Sequence, residues 1–373
     1  MKALTKELAI RDTLLEQEKV SYASDEIFLP EGGIDCNEGC NPYGFPDSLQ
    51  EAMKNFDIKK FGPYPHCHEP IDNLAEYWKE FADVEPENIL LADGSINALY
   101  IIFGIFKNKG TVALGVSPQF TDAEMAMKLL GMTYKSYKLK KENDFRFNTD
   151  EFIALMTDDV RIVYIDNPNN PTGQMVPIAD IERILDRAIE IGAAVIIDEA
   201  YGDLMPKYNS AMTLVTRYPN LINVKTMSKA FGLAGLRVGY VIASKTLIGY
   251  MKKTVNPYQV SEFAREMAGV ALKDKEHVEK SNEAFAKMKH EIKEVLKTPG
   301  HLRMSASYDT CSIFLLIHDN PSVDLQKLFW DNKVLCVSGY SFNGLDKDSV
   351  RMRLPRLEEF PVLLEAIKTI HNA

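Results

Sequence analysis

The sequence lacks the features that mark membrane proteins, nucleic-acid-binding proteins and nucleotide-dependent enzymes. No apolar run approaches the ~18 residues that a membrane-spanning helix needs. Blocks rich in Lys or Arg are missing, and the formal net charge of -10 argues against nucleic acid or an anionic membrane as a partner. Neither Gly-x-Gly-x-x-Gly nor a P-loop motif occurs, so nicotinamide and ATP binding have no support.

Cysteine is also scarce, with five in 373 residues. The cysteines are scattered, and the first residues lack the apolar core of a secretory signal. We therefore expect free thiols in the reducing cytoplasm. Cys36 and Cys40 could be combined with His66 and His68 into a zinc site, but their spacing matches no standard zinc pattern. We expect no metal.

Alternation of strands and helices is the main pattern that is present. Between residues 88 and 243, short β-branched runs alternate with amphipathic segments, which predicts an α/β fold with a largely parallel sheet covered by helices on both faces. Beyond residue 260 the pattern changes to charged helices and shorter strands. We expect an N-terminal arm over 1–33 that begins as a helix and contributes to the small domain, a large domain over 34–260, and a small α+β domain over 261–373.

Unusual polar residues follow four of the predicted strands, in the segments 117–120, 166–173, 198–201 and 226–229. In parallel sheets ligands bind beyond the carboxyl ends of the strands, so these segments are expected to meet at one site. Gly94 and Ser95 stand at a further strand-to-helix junction. Free backbone N–H groups and the positive end of a helix dipole would form an anion site there.

The side chains at these strand ends suit one kind of ligand. Lys229 offers an amine among apolar residues, and Arg237 with nearby hydroxyl groups suits a phosphate dianion. Asp198 follows an apolar strand, where a carboxylate is costly unless it meets a cation or a donor. Further groups are the Asn170 amide, the Tyr201 phenol and the Phe120 ring. A phosphorylated aromatic aldehyde with a ring nitrogen, pyridoxal phosphate, would use all of these groups.

Several alternatives remain open from the residues alone. Asp198 could cap a helix, and Phe120 could be a core residue. Arg351 and Arg353 lie on one face of a predicted strand, so either could reach the site or form a surface salt bridge. A cofactor-free hydrolase with Thr226 and Lys229 as nucleophile and base would leave the other strand-end residues without a role. A non-catalytic binding module with the same fold is the remaining class.

The sequence resembles the pyridoxal-phosphate-dependent class I/II aminotransferases of fold type I. Within that group it is most similar to histidinol-phosphate aminotransferases and to threonine-phosphate decarboxylase. The motifs are Asn-Pro-Tyr-Gly at 41–44, Asp-Gly-Ser at 93–95, Asn-Pro-Asn-Asn-Pro-Thr-Gly at 167–173, Asp-Glu-Ala-Tyr at 198–201 and the lysine motif at 228–237, with weaker matches at 64–65, 257–258 and 350–351. The resemblance implies a mainly parallel sheet of the seven-stranded type.

The resemblance also implies roles for the site residues. Lys229 would form the Schiff base with the cofactor and move the substrate α-proton, Asp198 would pair with the pyridine nitrogen, and Tyr201 would join them as a catalytic residue. Asn170 and Tyr201 would bind the ring oxygen. The remaining cofactor-binding positions are Phe120 against the ring and Gly94, Ser95, Ile96, Thr226, Ser228 and Arg237 around the phosphate.

Three further positions concern the substrate and the second subunit. Tyr64 would reach the phosphate of the neighbouring subunit, which implies a homodimer. Tyr43 and Arg351 would contact the substrate. The implied reaction moves an amino group between an amino acid, or a phosphorylated amine such as histidinol phosphate, and a 2-oxo acid. The alternative is decarboxylation of a phosphorylated amino acid. Departures from the family pattern at 96–97, 311–313 and 352–355 affect substrate-side positions and leave the substrate open.

Overall fold

The structure is a computed structural model that describes residues 10–18, 21, 28–107 and 109–373. The helices are α1 (Asp12–Glu16), α2 (Ser48–Lys54), α3 (Glu69–Trp78), α4 (Gly94–Gly104), α5 (Thr121–Leu129), α6 (Thr149–Ala154), α7 (Ile178–Ile191), α8 (Lys245–Met251), α9 (Glu262–Lys273), α10 (Lys275–Leu296), α11 (Leu325–Asp331) and α12 (Phe360–Asn372). Most of the predicted helix in the N-terminal arm lies outside the described residues.

The strands are β1 (Ile34–Asp35), β2 (Ile89–Asp93), β3 (Val112–Ser117), β4 (Thr133–Lys138), β5 (Val160–Asp166), β6 (Ala194–Asp198), β7 (Leu221–Thr226), β8 (Val238–Ala243), β9 (Leu302–Met304), β10 (Ile313–His318), β11 (Val334–Leu335), β12 (Val337–Ser338) and β13 (Ser349–Arg353). They form a seven-stranded sheet in the order β2-β8-β7-β6-β5-β3-β4, a four-stranded sheet in the order β12-β13-β10-β9, and the pair β1-β11.

The large sheet is parallel except at β8, which runs antiparallel to both β2 and β7. The predicted α/β fold with a largely parallel sheet is therefore confirmed. Alternate residues of the central strands enter opposite cores: Val195 and Ile197 pack on one face of the sheet and Ile196 on the other. Both faces are covered, as parallel strands require.

Helix α7 shows how the sequence pattern places a helix on this sheet. Its buried residues recur at the spacing of one helical face, and they are Ile181, Ile184, Leu185, Ala188 and Ile191. Gly192 ends the helix in the left-handed conformation at φ 69°, which glycine adopts without strain. This helix is one of the amphipathic segments that alternate with the strands in the sequence.

The small sheet is antiparallel and lies in the C-terminal part of the chain. Strand β1 pairs in parallel with β11 and so ties the residues that follow the N-terminal arm to this part of the chain. The domain boundaries near 33 and 260 stay predictions. None of the helices in the described ranges is long and apolar enough to span a membrane.

A buried ion network lies directly beneath the carboxyl ends of β6 and β7. The Lys225 Nζ atom is 2.9 Å from the Glu199 Oε2 atom and 3.8 Å from the Asp203 Oδ2 atom, with all three side chains buried. The backbone N–H of Ala211 and the hydroxyl of Ser210 also donate to Glu199. Burial lowers the pKa of Lys225, but the carboxylates of Asp203 and Glu199 outweigh it and hold that pKa above its ordinary value.

Replacement of one partner of this network should be strongly destabilising. Lys225→Met leaves two buried carboxylates without their cation, and we expect the free energy of unfolding to fall by about 3–5 kcal/mol. The measurement is urea-induced unfolding followed by circular dichroism. Lys273→Met removes an exposed partner of Glu69 and is the control, with little change expected. An equally small effect of both substitutions would contradict the structural importance of the network.

Candidate active site

The carboxyl ends of β5, β6 and β7 surround a cavity of about 510 Å³ together with the start of α4 and the segment before α5. The cavity lies where ligands bind in parallel sheets. Most of the predicted site residues line it: Ser95, Ile96, Phe120, Asn170, Asp198, Tyr201, Thr226, Ser228, Lys229, Arg237 and Arg351. The structure thus brings together residues that are up to 256 positions apart, from Ser95 to Arg351.

Three predicted residues lie elsewhere. Gly94 directly precedes the lining residue Ser95 as the first residue of α4. The Tyr43 phenol accepts a hydrogen bond of 3.3 Å from the backbone N–H of Leu357 and is not part of the lining. Tyr64 is 70% exposed, outside the lining of the cavity of its own chain. The roles assigned to Tyr43 and Tyr64 stay predictions.

Asp198 ends β6 as a buried carboxylate. Its Oδ2 atom accepts 2.9 Å from the Tyr164 hydroxyl, and its Oδ1 atom accepts 3.0 Å from the backbone N–H of Ala200. Burial raises the pKa of Asp198 to about 6, and these two hydrogen bonds oppose that rise. No α-helix begins at Asp198, since a short 3-10 turn follows at Gly202, so the carboxylate does not serve as the cap of an α-helix.

Asp166 is a lining residue that the sequence analysis does not single out as a site residue. It is the register partner of Asp198 on the neighbouring strand. Its carboxylate accepts hydrogen bonds from the backbone N–H of Phe120 (3.1 Å) and of Asn170 (2.9 Å) and from the side-chain amide of Asn169 (2.8 Å). Burial, together with the nearby charge of Asp198, raises the pKa of Asp166 to about 7. Asp166 therefore positions Phe120 and Asn170 at the cavity.

The sequence does carry a signal for Asp166. It stands first in the polar segment 166–173, directly after an apolar strand, as Asp198 does after the next strand in the sheet. Aligned strand ends place two such carboxylates side by side. This position after an apolar strand points to a site residue only when the pairing of β5 with β6 is known.

Another part of the cavity lining is suited to an anion. Helix α4 points its N-terminus there beside Ser95, and the Arg237 Nη1 atom lies 3.5 Å from the Ser228 hydroxyl. Gly94 has φ +75°, and a Cβ atom there would lie 2.4 Å from the Arg237 Nη2 atom. Only glycine allows the guanidinium to approach the helix terminus so closely.

Lys229 lines the same cavity. Its Nζ atom is 5.6 Å from the centre of the Tyr201 ring, and its backbone oxygen accepts 3.1 Å from the N–H of Asn41. The segment 37–40 closes over Tyr201, because a Cβ atom at Gly39 would lie 1.8 Å from the phenol oxygen. The Thr226 hydroxyl bonds with the Ser228 hydroxyl and the Val238 carbonyl, an arrangement that gives no support to Thr226 as a nucleophile.

The two candidate arginines of β13 have different surroundings. Arg351 is buried, lines the cavity and donates to the Asn37 carbonyl, with its Nη1 atom 3.4 Å from the Asn170 Oδ1 atom. Arg353 lies 3.5 Å from Asp35 and donates to the carbonyls of Asp35 and Leu354. Geometry therefore favours Arg351 over Arg353 as the arginine that meets a substrate.

The cysteine and histidine residues weighed as zinc ligands are not assembled into a site. Within the described ranges, the single group of three or more potential metal ligands that converge within 4.8 Å is His301, His318 and Asp319, remote in sequence from those four residues. All five cysteines are free thiols.

The matching family model is that of aminotransferase class I and II, over residues 33–367. A histidinol-phosphate aminotransferase of Francisella philomiragia is 28% identical over 99% of this chain and 96% of its own, and a putative threonine-phosphate decarboxylase of Caldanaerobacter subterraneus is 29% identical over 89% of each.

Solved structures show the same fold. The histidinol-phosphate aminotransferase of Clostridium acetobutylicum gives a TM-score of 0.80 at 24% identity and covers 90% of this chain and 98% of its own. The enzyme of the same name from Sinorhizobium meliloti, in complex with pyridoxal-5'-phosphate, gives a TM-score of 0.79 at 18% identity over 99% of both chains.

The raised pKa of Asp198 makes a prediction about stability. Because the pKa of Asp198 rises from 3.8 to about 6 on folding, the folded state binds this proton more tightly than the unfolded chain does. The tighter binding stabilises the fold below pH 4, and this contribution is lost as the pH rises through 6. In ligand-free protein, Asp198→Asn should therefore lessen the fall in unfolding free energy between pH 4 and pH 7 by about 1–3 kcal/mol.

The measurement is urea unfolding at several pH values across this window. Asp83→Asn, at an exposed carboxylate, serves as the control and should keep the pH dependence of the original protein. The same dependence in Asp198→Asn would show that Asp198 is not the titrating group.

Proposed function

The chain belongs to the class I and II aminotransferases, which depend on pyridoxal phosphate, and we propose that its cavity holds this cofactor between Lys229, Asp198 and Arg237. The observation that carries the proposal is the convergence of an amine, a buried carboxylate and an anion site in one cavity. The proposed reaction moves an amino group between an amino acid, or a phosphorylated amine such as histidinol phosphate, and a 2-oxo acid.

The donor groups of the cavity fit this cofactor. The anion site formed by Arg237, Ser228, Thr226 and the N-terminus of α4 suits its phosphate, and the Asp198 carboxylate suits a protonated ring nitrogen. When bound, pyridoxal phosphate supplies an aldehyde that takes up the substrate amine and a ring that accepts electrons from the substrate α-carbon.

The residues around the cavity have separate proposed roles in binding and in proton transfer. The Asp198 carboxylate holds a proton at the ring nitrogen, and Tyr164 keeps that carboxylate oriented through its hydroxyl. Asn170 and Tyr201 would bind the ring oxygen, and Phe120 would pack against the ring. The Lys229 amine would act as the general base that takes the proton from the substrate α-carbon and, once protonated, as the general acid that gives this proton back.

Arg351 is the proposed ligand of the substrate carboxylate, which a planar guanidinium binds through two parallel hydrogen bonds. Tyr43, from the family motif at 41–44, is the second proposed substrate contact. The decarboxylase alternative has weaker support than amino transfer, since the family and most of the similar curated proteins are aminotransferases.

We also propose a homodimer that works in the cytoplasm. Tyr64 stacks on Tyr258 at 4.6 Å between ring centres, and nearby in sequence Phe61 and Ile58 are exposed as well. Exposed apolar groups of this kind favour a subunit contact. The five free thiols agree with a reducing compartment.

The central prediction concerns Lys229. Purified protein supplied with pyridoxal phosphate should show a visible absorption band that the protein without the cofactor lacks. Lys229→Ala should lose this band and at least 1,000-fold of the transaminase rate, because it removes both the bond to the cofactor and the base. Lys252→Ala, at an exposed lysine, is the control. A band that survives in Lys229→Ala would overturn the assignment.

A second prediction concerns Tyr64. Lys229→Ala and Tyr64→Ala chains, each with a different affinity tag, are co-expressed. If Tyr64 serves the partner's site, mixed dimers contain one complete site, and random assembly should restore about one quarter of the original sites. Activity no greater than that of the separate variants would place Tyr64 in the site of its own chain or outside the site altogether.

A further inference from the structure

A cluster of two imidazoles and a carboxylate lies at the end of the small sheet that is formed by β9 and β10. His301 comes directly before β9, His318 is the last residue of β10, and Asp319 follows it. Ligand atoms of these three side chains lie within 4.8 Å of one another. None of the three lines the active-site cavity, and the proposed reaction gives them no role.

Backbone pairing holds the cluster in place. Leu302 and His318 are register partners in the antiparallel pair of β9 and β10, and the backbone N–H of Asp319 donates 3.0 Å to the His301 carbonyl. The backbone N–H of His301 in turn donates 2.8 Å to the carbonyl of His371, in α12. The three side chains therefore start from paired backbone, which keeps a set of metal ligands in position before the ion arrives.

The three side chains meet at one carboxylate. The His301 Nδ1 atom lies 3.1 Å from the Asp319 Oδ1 atom and 3.0 Å from its Oδ2 atom. The His318 Nδ1 atom lies 3.1 Å from the same Oδ1 atom. The two imidazole rings are parallel within 4°, with 5.4 Å between their centres. Ring nitrogens from both strand ends thus face one carboxylate oxygen.

These separations fit the corners of a tetrahedral metal site. Zinc binds imidazole nitrogen and carboxylate oxygen at about 2.0–2.2 Å, which places neighbouring ligand atoms about 3.3 Å apart in a tetrahedron. The nitrogen-to-oxygen distances of 3.0 and 3.1 Å are close to that value, so small movements of the side chains admit the ion. The side chains of His301 and Asp319 are 46% and 58% exposed, which leaves the fourth position open to water.

A hydrogen bond to His318 also favours a cation in this place. The backbone N–H of Asn320 donates 3.0 Å to the His318 Nδ1 atom. A ring nitrogen that accepts this bond carries no proton, so it cannot donate to Asp319, and two electron-rich atoms remain 3.1 Å apart. A cation between them removes this repulsion. Asn320 is exposed, so its N–H can bond to water when the ion takes the lone pair.

The types of ligand decide the class of ion. Two imidazole nitrogens and one carboxylate suit Zn²⁺ and similar late first-row ions, whereas Mg²⁺ and Ca²⁺ prefer oxygen ligands. We propose that His301, His318 and Asp319 form a site for a divalent transition-metal ion of the Zn²⁺ class, which joins β9 to β10. The site is independent of the cofactor and of the proposed reaction. The sequence alone does not indicate it, because only the pairing of β9 with β10 brings these residues together.

Calorimetric titration of the holoenzyme with Zn²⁺ tests this site. One ion should bind tightly to each chain, and Mg²⁺ over the same concentrations should not bind. His301→Ala and Asp319→Asn should each weaken the binding of Zn²⁺ at least 10-fold, since loss of an outer-shell partner alone costs metal sites about 10- to 100-fold in affinity. Both side chains are substantially exposed, so both variants should fold, which circular dichroism checks.

His290→Ala is the matched control. His290 is an exposed histidine on α10 whose Nε2 atom lies 4.0 Å from the Glu294 carboxylate, and its loss should leave the affinity for Zn²⁺ unchanged. An equal loss of affinity in His290→Ala would mean that Zn²⁺ binds surface histidines in general. That result, unchanged affinity in both His301→Ala and Asp319→Asn, or no saturable binding of Zn²⁺ to the original protein would each overturn the proposal.

The position of the ion gives a second, direct test. Crystals of the holoenzyme grown with Zn²⁺ should show their strongest anomalous peak, at the zinc absorption edge, about 2.0–2.2 Å from both histidine nitrogens and from the Asp319 carboxylate. A strongest peak at the cysteines, at the cofactor or at other surface groups would overturn the assignment, even if one ion binds per chain.

Discussion

The burial of negative charge at the carboxyl edge of the large sheet is the constraint on which the site depends. Asp166 and Asp198 end adjacent strands in register, and each is removed from water. Isolated carboxylates would not remain charged there, so the surrounding loops supply N–H groups and the Tyr164 hydroxyl. The loop geometry that satisfies the two acids is the same geometry that brings Phe120 and Asn170 to the cavity.

Much of this arrangement could be predicted from the sequence because it depends on local pattern. A parallel strand in a covered sheet is an uninterrupted apolar run, and the polar residue after it marks the strand end. This pattern predicts that Asp198 and the segment beginning at Asp166 lie at strand ends, and Lys229 follows a similar apolar run. Since all parallel strands end at one edge, the approximate meeting of these residues followed without knowledge of the strand order.

Other features of the site could not be predicted without knowing which elements pack against each other. Arg351 and Arg353 share one face of β13, and the structure separates them only because Asp35 lies beside Arg353. Lys225 lies in a strand that is otherwise mostly apolar, and its partner is the carboxylate of Glu199, the residue directly after β6. Tyr43 belongs to a matching motif, yet its phenol lies against the Leu357 backbone. Each outcome depends on a partner distant in the sequence.

Strand β8 gives the lysine motif a property that the other strand-end segments lack. Because β8 returns antiparallel beside β7, Lys229 and Arg237 sit within one connection that never crosses the sheet. Gly232, midway along this connection, packs tightly against Gly44, since a Cβ atom at Gly232 would lie 1.8 Å from the Gly44 carbonyl oxygen. Insertions can lengthen the surface loops of such a protein over evolutionary time. A single residue gained or lost between the amine and the guanidinium would change the length of ligand that fits between them.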